Sequence, residues 1–398
     1  MRSINSPNLN PSTKQIRILH VVGGMDRGGV ETWLMHVLRH LNRSHFQMDF
    51  LTPEDRHYAY TDELQALGSQ IFPCLEPSKP LLYAANFQRI LREHGPYDAI
   101  HVHIHHFSGY VLHLAQQAGI KVRIIHSHID TSSIESNVNW RRKIYNTLMK
   151  WWIDRNATIG LAASQMAAAD LLNPLWENDS RWRILFYGID LAPFRDLIDK
   201  TKIRTEFGIP ENTLVIGHVG RFESQKNHHF LLEVAAEVAK REPNIRLVLL
   251  GIGPLRAEIE AKAIEMGLAD RVIFLGTRPD VPRLMSGLMD IFLFPSLYEG
   301  LGLVLIEAQA AGLPCIFADT VPSEADVFSP LLQRLSLQQP ASEWAETILV
   351  TRLDISSIDR ANALEIVSQS VFNIDVSVAE LTKFYRSTIA DSSHIDLD

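Results

Sequence analysis

Cysteine is nearly missing from this chain: Cys74 and Cys315 are the only two among 398 residues. Two thiols build neither a disulfide framework nor a cysteine-rich zinc site, which fits a reducing cytosol. Long apolar runs are missing too. Nothing approaches the roughly 20 residues that span a bilayer. The first fifteen residues, MRSINSPNLNPSTKQ, carry no hydrophobic core region and read as a flexible polar tail, not a signal peptide. A cytoplasmic protein is therefore expected, with any membrane contact peripheral. Basic excess is also absent: the net charge of −8 argues against nucleic acid as a partner. Short internal repeats and low-complexity tracts do not occur.

What remains is a globular composition, 46% hydrophobic and 21% charged. The length exceeds one ordinary core and favours two domains of roughly 200 residues. From residue 16 the chain alternates strand, turn and helix. IRILHVV, FQMDFL, YDAIHVHI and VRIIHSH are strand candidates, with helix-like segments between them. A charged, turn-rich connector covers about 190–212. The alternation then restarts with LVIGHVGR, IRLVLLGIG, RVIFLGT, DIFLFPS and PCIFAD. The expected fold is α/β: two Rossmann-like units with parallel sheets, facing across a deep cleft. The divisions read as a tail over 1–15, an N-terminal domain over 16–195 and a C-terminal domain over 196–375. A final segment, 376–398, reads as a helix crossing back to the first domain and a polar tail. Ligands of such sheets bind beyond the carboxyl ends of the strands.

Four stretches at those ends carry suitable chemistry. GGMDRGGVE places Gly28 and Gly29 before the first helix, whose N-terminus offers free N–H groups to an anion. Its spacing is not G-x-G-x-x-G, and a plain tight turn explains it equally well. GHVGRFESQKN sets Arg221 and Lys226 on one loop, where two cations suit a diphosphate, although a solvated loop has the same composition. LGTRPDVPRLM puts backbone near Arg278 within reach of a nucleobase edge. PSLYEGLGLVLIEAQAAGLP reads as strand end, loop and helix, with Glu299 in the loop and Glu307 more than one turn into the helix. A carboxylate accepts two hydroxyl hydrogen bonds at once, as sugars and riboses require. The plain alternatives are an exposed loop acid for Glu299 and a buried ion pair for Glu307.

Taken together, and in this order, the four stretches resemble family 4 glycosyltransferases, retaining enzymes of the GT-B fold with an E-x7-E signature, over about residues 16–390. FADTVPSEADV further resembles the bacterial exopolysaccharide and capsule members. The resemblance implies that Arg221 and Lys226 hold the donor diphosphate and stabilise its developing charge as it leaves. It implies Glu307 on the ribose, Glu299 on the transferred sugar, and N–H groups of Gly300, Leu301, Gly302 and Leu303 near phosphate. A histidine after an N-terminal-domain strand sits near the reacting sugar in that family; here it is His128 or His126, with His128 favoured by register. The donor is expected to be a UDP-linked sugar and the acceptor a lipid-linked saccharide, with no cofactor and no metal required. Two departures stand out: Tyr187 replaces the usual asparagine before Gly188, and Gln309 stands where methionine is frequent.

Other features weigh less. HVHIHHF sets His101, His103 and His105 on one side of a strand, with His106 adjacent. No ligand set with zinc-site spacing accompanies them, so His105 and His106, with His126, are read as shaping an acceptor cleft. In RRKIYNTLMKWWIDR, residues 141–155, a helical wheel groups Ile144, Tyr145, Leu148, Met149, Trp151 and Trp152 on one face. Arg142, Lys143 and Lys150 lie opposite. Such a helix can rest on an anionic inner-membrane surface, and an ordinary core helix shares the periodicity. A dehydrogenase is a weaker alternative, since Asp49 falls inside a strand and not at its end. A non-catalytic sugar-nucleotide-binding or scaffold subunit is the other rival class.

Overall fold

Short, β-branched apolar runs that alternate with helices have one stable arrangement, a parallel sheet covered on both faces. The computed structural model describes residues 15–128, 139–172, 175–354 and 360–394 and shows that arrangement twice. Residues 1–14, most of the proposed tail, and 395–398 lie outside the described residues.

The first sheet contains β1 (Ile16–Val21), β2 (Phe46–Thr52), β3 (Ile71–Pro73), β4 (Ala99–Val102), β5 (Val122–Ser127), β6 (Ile159–Ala162) and β7 (Trp182–Ile184). Their order is 3-2-1-4-5-6-7, all parallel. The second contains β8 (Leu214–Val219), β9 (Ile245–Leu250), β10 (Val272–Gly276), β11 (Ile291–Phe294), β12 (Cys315–Ala318) and β13 (Leu332–Leu335), in the order 10-9-8-11-12-13. Central strands are buried end to end: β11 reads Ile-Phe-Leu-Phe without one exposed residue. Both cysteines are buried and free.

In each sheet the strand order reverses once, between β1 and β4 and between β8 and β11. Loops leaving neighbouring strands in opposite directions open a crevice there, which is where doubly wound sheets bind ligands. The glycine loop follows β1, the Arg221/Lys226 loop follows β8, and the Glu299 loop follows β11. The motifs thus fall on the two switch points.

Two crossings join the halves and pair with each other. Ile189 N–H donates to Phe372 O at 2.8 Å, and Ile374 N–H donates to Ile189 O at 3.2 Å. A Cβ on Gly188 would lie 2.4 Å from Ile374 Cα, so only glycine allows this approach. The C-terminal helix, Ile374–His394, then packs on the first half. Tyr385 OH meets His101 Nδ1 at 2.7 Å, and Trp33 Nε1 donates to Ser377 Oγ at 3.5 Å.

Asp49 lies inside β2, as expected, and not at its end: it is buried and accepts from Arg17, Gln47, the Gln70 N–H and Tyr97 OH. One expectation needs correction. The helix Trp140–Asn156 buries Asn146, Met149, Ile153 and Asn156. Its wheel is therefore rotated from the expected apolar face, because the packing edge includes two asparagines. Trp140, Ile144, Leu148 and Trp151 remain exposed, at 66%, 60%, 44% and 53%. They recur at helical spacing on the side away from the core.

Candidate active site

The rim of the second sheet is built from β8 and β11. Leaving β8, the chain makes one 3₁₀ turn, Ser224–Lys226, and Asn227 adopts a left-handed conformation before the helix His228–Ala239. That turn points Lys226 at the neighbouring loop, and its Nζ lies 2.5 Å from Glu299 Oε1. Glu299 is buried at 5% exposure, contrary to an exposed loop acid, and Lys226 is half-buried. Gln225 ties the same loops together by donating to Tyr298 O at 2.9 Å, while Leu297 N–H donates to Gln225 O at 2.8 Å. Arg221 is exposed and paired with Glu223. Both expected phosphate cations therefore sit on one rim, each already beside a carboxylate.

After Glu299 the chain runs through Gly300 and buried Leu301 to Gly302, which caps the helix Leu303–Ala310 with φ +85°. A side chain there would be strained, so glycine sets the turn that starts the helix. The cap supplies no side-chain hydrogen bond, so the first N–H groups of the helix, Leu303 among them, face the crevice end with no side-chain acceptor.

Glu307 sits in the second turn of this helix. It is half-buried, and no cation or donor among the described residues pairs with its carboxylate. Burial alone pushes its pKa from 4.5 up to about 7. The expected alternative, a buried ion pair, is not what the structure shows. Gln309, two residues on, is enclosed and fully satisfied. It donates to Leu305 O and Ala325 O and accepts from Val327 and Phe328 N–H. A methionine could not hold that loop by hydrogen bonds. Arg278 is clamped by Asp280 through two contacts of 2.8 and 2.9 Å, leaving backbone as the free feature of its turn.

The rim of the first sheet differs. Gly28 is the N-cap of the helix Gly29–His40, and the Glu31 carboxylate folds back against it. Burial raises the Glu31 pKa, with Arg221 acting against that rise. Asp26, paired with Arg56 at 2.5 Å, has a pKa lowered first by that bond and also by Arg221. Arg221 thus lies within electrostatic reach of the glycine loop, and the two rims face each other. Glu31 and Asp26 were visible in GGMDRGGVE, but nothing local to that stretch shows that Arg221 lies opposite.

His128 ends the described part of its loop, half-buried, with Nδ1 on Tyr187 OH and Nε2 2.7 Å from His103 Nδ1. Tyr187 stacks on Trp33 at 4.4 Å, so the unusual residue before Gly188 orients His128. Burial pushes the His128 pKa down to about 3 and keeps the ring neutral. His126 is 0% exposed and His106 2%, so neither lines an open acceptor surface; His105 turns back to Asp170 at 3.1 Å. The expected cleft roles are corrected: the 3₁₀ turn by which the chain leaves β4 folds His106 inward, His126 is enclosed within β5, and His105 is half-buried on Asp170.

Comparison with known proteins agrees with this geometry. Residues 27–193 match the family described as Glycosyltransferase Family 4, and 199–350 match Glycosyl transferases group 1. EpsF of Bacillus subtilis, described provisionally as a glycosyltransferase, is 40% identical over 85% of this chain and 88% of its own length. CapH of Staphylococcus aureus, a capsular polysaccharide biosynthesis glycosyltransferase, is 27% identical over 94% of this chain and 99% of its own. The crystal structure of Anabaena HepE in complex with UDP and glucose superimposes with a TM-score of 0.77 at 19% identity, covering 94% of this chain and all of HepE. This chain belongs to the family 4 glycosyltransferases: it is a GT-B transferase related to the enzymes of exopolysaccharide and capsule assembly.

Proposed function

We propose that the chain is a retaining glycosyltransferase that moves a hexosyl unit from a UDP-linked sugar to a lipid-linked saccharide in exopolysaccharide or capsule assembly. The C-terminal domain takes the donor and the N-terminal domain the acceptor. The carrying observation is Glu307, a half-buried carboxylate with no partner among the described residues, one turn behind helix N–H groups that no cap side chain engages, in the helix that follows the loop bound by Lys226 on the rim it shares with Arg221. A nucleoside diphosphate satisfies all three: ribose hydroxyls donate to Glu307, while the diphosphate meets the helix N-terminus, Arg221 and Lys226. Backbone near Arg278 meets the base. HepE, whose structure holds UDP and glucose, supports this choice of ligand.

Glu299 faces the transferred sugar while held by Lys226. A carboxylate tied to an ammonium accepts sugar hydroxyls well and is a poor covalent nucleophile. The reaction is accordingly same-face attack by the acceptor hydroxyl as the diphosphate departs, with charge on the leaving group met by Lys226 and Arg221. The exposed Trp140, Ile144, Leu148 and Trp151, with exposed Arg141, Lys143 and Arg155 around them, suit an anionic membrane surface carrying a lipid-linked acceptor. No helix is long and apolar enough to cross a membrane among the described residues.

A panel of UDP-sugars incubated with lipid-linked saccharide tests the reading. Donor-dependent transfer with retained anomeric configuration is expected. UDP binding with neither transfer nor donor hydrolysis for any sugar would favour a scaffold subunit instead.

A further inference from the structure

Strands β1, β4 and β5 are neighbours, and each contributes histidine to the same face. His20 pairs in register with His101, and His101 with Ile124, which sets His126 one step further up β5. His103 and His128 follow just beyond the strand ends. One nitrogen each from His103, His126 and His128 lie within 4.8 Å of one another.

We propose that His103, His126 and His128 form a binding site for one divalent first-row transition ion of the zinc class. Three observations carry this. First, His103 Nδ1 and His128 Nε2 already converge at 2.7 Å. Zinc–imidazole bonds of ~2.0–2.1 Å place ligand nitrogens only slightly farther apart. Second, His126 Nε2 is fully buried and has no hydrogen-bond partner among the described residues, so that ring has one nitrogen left to bind. Third, the opposite nitrogen of every ligand ring is held by another group. His103 Nε2 lies 3.0 Å from His20 Nδ1, and His126 Nδ1 lies 3.1 Å from His101 Nε2. His128 Nδ1 is on Tyr187 OH.

Metal-binding histidines characteristically have their second nitrogen fixed in this way, which sets tautomer and ring angle. With the ion bound, each of the three rings donates its remaining N–H outward and offers a lone pair inward. His101 in turn rests on Tyr385 OH of the C-terminal helix, extending the support to a third element. Without an ion, the same rings form two hydrogen-bonded chains that leave His126 Nε2 unsatisfied. Imidazole donors suit zinc, cobalt and nickel, and exclude calcium and magnesium, which take oxygen. The overlapping trio His20, His101 and His103 is buried throughout, whereas half-buried His128 gives the chosen trio a path for entry from the rim.

The inference does not rest on the proposed donor or acceptor. It is tested on the full chain after chelator treatment and desalting, by titration with Co²⁺ followed in the visible spectrum and by competition with Zn²⁺. One ion per chain with a tetrahedral spectrum is expected, its affinity falling at least 100-fold in His126→Gln and unchanged in His40→Gln. Crystals soaked in Zn²⁺ provide a readout independent of variant folding: an anomalous peak among the three rings is expected. Absence of that peak, or binding unaltered in a folded His126→Gln, would overturn the proposal and leave a hydrogen-bonded chain only.

Discussion

The two switch points are built from the same topology and opposite chemistry. At the second sheet, charges are placed in contact before any ligand arrives, Lys226 with Glu299 and Arg221 with Glu223, and Glu307 has no partner among the described residues. At the first sheet the glycine loop carries Glu31 and the Asp26–Arg56 pair, while the strand ends of β1, β4 and β5 carry neutral imidazoles that bond mainly to each other, with tyrosine hydroxyls closing the chains. Preformed charge suits an anionic ligand, since its binding replaces one set of ion contacts with another at little reorganisation cost. The same topology thus carries charged loops after β8 and β11 and an enclosed, neutral histidine cluster at the strand ends of β1, β4 and β5.

Changes on the charged rim should be the most damaging. Lys226→Ala leaves Glu299 enclosed without its cation, which costs about 3 kcal/mol of stability and lowers transfer by roughly 10³-fold. Denaturant melts and single-substrate kinetics would show both losses; an intact melt would mean that water replaces the ammonium. Arg221→Ala touches an exposed residue, so the melt should hold while kcat/KM drops about 100-fold. Equal activity would remove Arg221 from the site. On the exposed helix, Leu148→Glu should weaken retention on anionic vesicles roughly tenfold at low salt without altering soluble-acceptor turnover, if one exists. Smallest of all is the effect of mild acid on the neutral rim. His128 is already neutral, with its pKa near 3, so the rate profile between pH 5.5 and 8 should show no limb from its protonation. A limb near the ordinary imidazole value that vanishes in His128→Asn would contradict the neutral-rim account.

The charged rim was largely legible in the chain because its parts are local. β11, the Glu299 loop and the glycine-capped helix follow one another within twenty residues, and turn chemistry orders them. The Lys226–Glu299 contact was not legible, since it joins residues 73 apart through the adjacency of β8 and β11. The histidine cluster was hidden for the same reason. HVHIHHF and RIIHSH look like separate strands until the order 1-4-5 sets them side by side. The helix Trp140–Asn156 misled by its composition: Asn146 and Asn156 face the core, with Asn156 donating to Trp152 O, and apolar residues face out. A wheel sorted by hydrophobicity places Met149 correctly but turns the buried edge toward Ile144, Leu148 and Trp151 and away from Asn146 and Asn156.

Glu307 is the central group of the charged rim. Its folded-state pKa of about 7 exceeds the ordinary 4.5, so the folded protein holds a proton that the unfolded chain releases. Stability from this group is present below pH 4.5 and is lost as pH rises through 7. In the proposed complex, ribose hydroxyls donating to the carboxylate favour its charged form and draw the pKa down. Calorimetry of UDP binding at pH 6.5 to 7, in two buffers of different ionisation enthalpy, reads this directly. Proton release is predicted for the native chain, together with its disappearance and an approximately tenfold weaker affinity in Glu307→Gln. Equal affinity in both proteins with no proton released by either would contradict the account.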